Sequence, residues 1–144
     1  MKRATFVSTL VLAVTMMALV AIGVQGLHAD EREYKSTAKI TKLVEKMPLS
    51  GLPGQEANVI LAEMPGGWVG GKHYHPGHVF VYVLKGSITF TFDDKEPLIV
   101  KAGEIYHETP DEKMLARNTS SSDDLKLIVF QVGTQGKPMM IKAD

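Results

Sequence analysis

The segment Val79 to Phe92, VFVYVLKGSITFTF, constrains the fold more than any other part of the chain. Val79 to Leu84 is a continuous apolar run rich in β-branched and aromatic residues, the pattern of a strand covered on both faces. Lys85-Gly86 is a tight turn. Ser87 to Phe92 then alternates, with Ile88, Phe90 and Phe92 on one face and Thr89 and Thr91 on the other. Similar short runs surround this pair. Ala57 to Met64 reads as a strand ended by Pro65-Gly66-Gly67, Leu98 to Val100 follows the Asp93-Asp94 turn, and Leu125 to Val132 is the last strong strand. A polar loop spans Thr119 to Asp124. No segment beyond the N-terminal leader sustains a period of 3.6, and no internal repeat is visible. Short strands at close spacing with Gly and Pro turns predict an all-β sandwich or barrel.

The 144 residues fit one ordinary domain. Sixteen Lys and Arg balance sixteen Asp and Glu, so no basic excess exists to drive nucleic-acid binding by phosphate neutralisation. The absence of Cys excludes a disulfide framework, thiolate-ligated zinc or iron–sulfur clusters, and a thiol nucleophile.

The N-terminus has the form of a leader. Lys2 and Arg3 precede an apolar run from Phe6 to Val24 that is interrupted only by Ser8, Thr9, Thr15 and Gly23. Small residues suited to a leader peptidase follow, at Val24-Gln25-Gly26 or Leu27-His28-Ala29. The expectation is export to the periplasm or medium, with residues 1–29 removed as a signal peptide. If the leader is retained, the same run approaches the length needed to span a bilayer and would anchor the chain in a membrane, its one membrane contact. Residues 30–36 read as a loose polar arm, and 37–144 as the domain, whose tail from Pro138 to Ile141 could add an edge strand. Without disulfides, that domain rests on packing alone.

The chemistry concentrates at His73 and His75. Two residues apart in an extended segment, their imidazoles share a face, as two ligands of one metal require. Here the chain resembles the cupin superfamily. Gly67, His73, His75 and Gly86 stand in register with the family's first motif, and Gly103, Pro110 and Asn118 fit its second with one extra residue before the Pro. The resemblance runs from about Thr37 to Val132. It implies a single antiparallel β-barrel, or jelly roll, of the double-stranded β-helix type. Two family ligands are missing: Val79 stands where the first motif has Glu, and Met114 where the second has His. Asp111 or Glu112 falls where the second motif has Gly.

Three residues could complete a site around the His pair, in the order Glu108, His78, Met114. Glu108 would make a 2-His-1-carboxylate set suited to Fe, Mn or Zn, whereas the Met114 thioether would favour Cu. His107 and Glu108 are adjacent, so only one of them can face inward from a strand. Trp68 and Tyr74 either line a cavity mouth or pack, and Arg117 reads as an exposed charge. Asn118-Thr119-Ser120 matches a glycosylation acceptor, a pattern common by chance. Two functions compete. One is a metal-dependent enzyme of dioxygenase, isomerase or lyase type acting on a polar small molecule. The other is a non-catalytic cupin that binds a small ligand or forms a barrel homodimer without metal.

Overall fold

The computed structural model describes residues 39–144, with side chains from Lys46 onward. The leader and the arm lie outside the described residues. Ten strands follow in order: β1 (Lys39–Pro48), β2 (Gln55–Met64), β3 (His73–Tyr74), β4 (His78–Lys85), β5 (Ser87–Phe92), β6 (Leu98–Lys101), β7 (Ile105–Glu108), β8 (Met114–Asn118), β9 (Leu125–Thr134) and β10 (Ile141–Lys142). They form two five-stranded antiparallel sheets, β1-β2-β9-β4-β7 and β10-β3-β8-β5-β6. The described part is all-β, as the strand pattern predicts.

The alternation in the sequence becomes the core. Ile88, Phe90 and Phe92 of β5 meet Val79, Val81 and Val83 of β4 in one cluster that also holds Met114, Ala116, Leu125 and Leu127. Trp68 and Tyr106 pack against it, so Trp68 serves as packing. Gly86 turns β4 into β5 at φ 81, a backbone conformation that side chains disfavour.

Two expectations change. β4 is covered on one face only: Val79, Val81 and Val83 are buried, while Tyr82 is 40% and Leu84 44% exposed. A sandwich covers one side of each sheet, and the outward residues of β4 face away from the second sheet. β1 was not anticipated as a separate strand. Its register against β2 shifts between Ile40 and Lys42 and again between Leu43 and Glu45, so no clean period of two survives in its sequence. The tail does add an edge strand, β10, at Ile141–Lys142.

Asn118 pins the turn that precedes the His segment. Its Nδ2 donates to the carbonyls of Met64, Pro65 and Asp123 at 3.3, 3.0 and 2.7 Å, and its Oδ1 accepts from Ser120 N at 3.1 Å. A carboxamide 3% exposed and committed in this way is not available as a glycan acceptor in the folded protein. Asn118→Ala strands several buried groups and is expected to cost about 2–3 kcal/mol, read by urea unfolding. A loss below about 0.5 kcal/mol would show that the turn holds without it.

Candidate functional site

His73 and His75 arrive at the site by different routes. His73 is on β3, paired across to Met114 of β8 and to Lys142 of β10. His75 lies just beyond β3, and its backbone carbonyl accepts from Asp111 N at 2.9 Å. Asp111 has φ 64, a conformation Gly adopts freely and Asp tolerates better than most residues. Asp111 thus takes the conformational role of the Gly it replaces. Asp111→Gly is expected to leave stability within about 0.5 kcal/mol, and Asp111→Val to cost about 1–2 kcal/mol, by thermal unfolding. Equal stability of the two variants would refute this reading.

Both imidazoles are buried and their tautomers are set by carbonyls. Nδ1 of His73 donates to Gly71 O at 2.8 Å, and Nδ1 of His75 to Met139 O at 2.6 Å. A carbonyl only accepts, so each Nδ1 bears the hydrogen and each neutral ring carries its lone pair on Nε2. The rings stand nearly perpendicular, with centroids 5.1 Å apart. Burial holds the His73 imidazole below its usual range, with the Gly71 carbonyl opposing. A depressed folded value means that the unfolded chain takes up the proton first. This contribution to stability is therefore full above about pH 6.5 and is lost as pH falls through the lowered folded value. In chelator, His73→Asn is expected to flatten the loss of stability between about pH 7 and pH 5. An unchanged slope would contradict it.

Glu108 ends β7 and is 3% exposed. Its Oε2 lies 3.1 Å from His75 Nε2. Yet no group among the described residues hydrogen-bonds to that oxygen. The two atoms are close without the alignment of an N–H···O bond. Gln131 on β9 supplies the other orphan: its Nε2 donates to Met139 O at 2.9 Å, while its buried Oε1 has no partner among the described residues. Across the sheet, Gln131 is the register partner of Val79, and Val79 of Glu108. Tyr106 precedes Glu108 by two residues on β7. Its phenol, pushed up to about 12 by burial and by Glu112 and Glu108, stays protonated through neutral pH and donates to Glu112 Oε2 at 3.3 Å.

Of the residues singled out in the sequence, His73, His75, Glu108 and Met114 are buried. Met114 belongs to the apolar cluster, beside His73 in register. His78 does not join them. It opens β4 one residue before the inward Val79, so strand parity turns it to the outer face. There its Nδ1 lies 2.9 Å from Nε2 of the exposed His107, whose ring stacks on Phe80. Arg117 is exposed. Tyr74 lines a shallow groove of about 330 Å³ with Asp111, Lys113 and Lys142. Among the described residues, no group of three or more His, Asp or Glu converges closely enough to hold a metal ion by itself. Gln131 was missed. Its strand was legible, but a lone Gln carries no motif signal.

Two antiparallel sheets packed over a His pair define the double-stranded β-helix class. The Cupin domain family model matches residues 60–131. A protein of Methanocaldococcus jannaschii, MJ0764, is 34% identical over 99 residues, spanning 69% of this chain and 80% of that one. The chain belongs to the cupin family. The crystal structure of MJ0764, an RmlC-like cupin family protein, superposes with a TM-score of 0.53 at 25% identity, covering 70% of this chain and 83% of that one. A double-stranded β-helix protein of Klebsiella pneumoniae gives 0.53 at 15% identity, over 76% and 86% of the two chains. A structure of DMSP lyases gives 0.52 at 18%, over 61% of this chain and 44% of that one. These last two likenesses are of fold alone.

Proposed function

We propose that this cupin is exported, that His73, His75 and Glu108 draw together around one divalent transition metal when it binds, and that the site receives a polar small molecule. The observation that carries the reading is the 3.1 Å approach of Glu108 Oε2 to His75 Nε2 without a hydrogen bond between them. A carboxylate oxygen and a ring lone pair repel at that distance unless a cation is shared between them. An imidazolium would aim its N–H at the oxygen, and the geometry lacks that alignment. The donor types fit a metal as well. Two imidazoles with their Nδ1 atoms anchored on carbonyls have the outer-shell support that ligating histidines use. Nitrogen and carboxylate donors suit Fe, Mn or Zn better than Cu(I), and Met114 is committed to apolar packing.

A bound metal would supply Lewis acidity toward an oxygen of the small molecule. The chain's own contribution is orientation. Gly71 and Met139 carbonyls fix the rings, the Asp111 amide holds the His75 backbone, and the neutral Tyr106 phenol stands two residues from Glu108. The basic n-region and apolar run of the leader support export, and the mass of protein recovered from the cell envelope tests it.

Full chain purified without a tag and analysed for metals is expected to carry close to one equivalent. After chelation, titration with Mn(II), Co(II) or Zn(II) should restore one equivalent and raise Tm, and His75→Ala should abolish both. Neither retention nor a Tm shift in the native protein would end the metal reading and leave a non-catalytic scaffold.

A further inference from the structure

The inward row across one sheet runs Asn58, Gln131, Val79, Glu108, residue by residue through β2, β9, β4 and β7. All four are buried. Val79 occupies the place at which the family's first motif carries its carboxylate, and it offers only methyl groups. Its register partners on either side are the two residues whose buried oxygens lack a partner among the described residues, Glu108 Oε2 and Gln131 Oε1. The coincidence has a physical reading. Buried acceptors left without donors are costly, and native chains keep them where something else satisfies them.

We infer that Gln131 Oε1 is a further metal ligand, so that the donor set lost from β4 is rebuilt from its two neighbouring strands, the charge from Glu108 and a neutral oxygen from Gln131. The inference rests on the metal reading above. Three observations support it. The carboxamide is 1% exposed, so its oxygen cannot turn to solvent. Its orientation is fixed by chemistry, because Nε2 donates to Met139 O at 2.9 Å and a carbonyl would repel the amide oxygen. The same Met139 carbonyl accepts from His75 Nδ1 at 2.6 Å, so one backbone atom aligns the Gln and the His together. That shared acceptor links Gln131 to the His75 ring, whose Nε2 lies 3.1 Å from Glu108 Oε2.

Amide oxygens are ordinary ligands of hard and borderline divalent ions, and a neutral oxygen adds coordination without a second buried negative charge.

Cobalt(II) is the probe, because its visible spectrum reports coordination number. The chelated full chain, Gln131→Leu and Gln131→Glu are each titrated with Co(II), followed by calorimetry and by d–d absorption. The native protein is expected to bind one Co(II) with a weak, high-coordination spectrum. Gln131→Leu should bind about 10–100-fold more weakly with a more intense band, as one oxygen is lost. Gln131→Glu keeps an oxygen and adds charge, so it should bind at least as tightly as the native chain. A role confined to holding Met139 would lower Tm of the metal-free variants and leave the Co(II) spectrum unchanged, which overturns the inference. If Gln131→Leu does not fold, weaker binding by Gln131→Glu overturns it instead. Native protein that takes up no Co(II) defeats the metal reading and this inference together. Native binding matched by Gln131→Leu in affinity and spectrum defeats this inference alone.

Discussion

Glu108→Gln is expected to make the metal-free protein more stable while removing its metal affinity. In the native chain a buried carboxylate oxygen sits 3.1 Å from His75 Nε2, with the ring hydrogen already spent on Met139. A carboxamide of nearly the same size turns one of the facing acceptors into a donor. The repulsion between the two facing acceptors is then relieved and the buried charge disappears, for a gain of about 1–3 kcal/mol in chelator. Divalent-metal affinity should fall by at least about 100-fold, more than the loss of an outer-shell partner causes. Urea unfolding with EDTA and a Mn(II) or Zn(II) titration read the two effects. Opposite signs are the point. If Glu108→Gln instead destabilises the metal-free protein by several kcal/mol, then His75 is an imidazolium and the contact is a buried ion pair.

The second large effect concerns Gly77. A Cβ there would lie 2.4 Å from Val132 O and 2.8 Å from Gly133 Cα. Both are backbone atoms of β9, so no side chain can swing aside. Gly77→Ala is expected to cost about 3 kcal/mol, at the upper end of overpacking losses. For a domain of this size that corresponds to a Tm lower by more than about 10 °C. The displacement would also reach the site, since the His75–Gln131 alignment depends on this loop lying against β9. Thermal unfolding tests the first part, and Co(II) binding by whatever folded protein remains tests the second. A Tm within about 2 °C of the native value would mean that β9 gives way easily.

The sequence carried the architecture well where period and turn chemistry agreed. The alternation of β5 and the Gly86 turn are local signals, and they place the core residues Ile88, Phe90 and Phe92 directly. β1 escaped because two register shifts erase its period. The continuous run in β4 suggested two covered faces, but an apolar run does not say which face a second sheet will reach. At the site, parity placed the His pair on one side and separated His107 from Glu108 correctly. The same rule, applied to His78 beside Val79, would have turned His78 outward. Gln131 was beyond local reading: its significance arises from register, where β9 lies between β2 and β4, and no spacing along the chain encodes that neighbourhood.

The residues of the site are divided between the sheets. His73 belongs to β3 in one, Glu108 to β7 and Gln131 to β9 in the other, and His75 sits on the link that crosses between them. A sandwich without cysteine has no covalent bond through its middle. Whatever grips these side chains at once therefore acts as a rivet through both layers. β7 is an outermost strand and β3 is only two residues long, so in the empty protein each can fray without the other. Once riveted they must open together. Their backbone amides should then exchange with deuterium at one common, slower rate, and a force pulling the layers apart would meet its resistance at the site rather than in the apolar core.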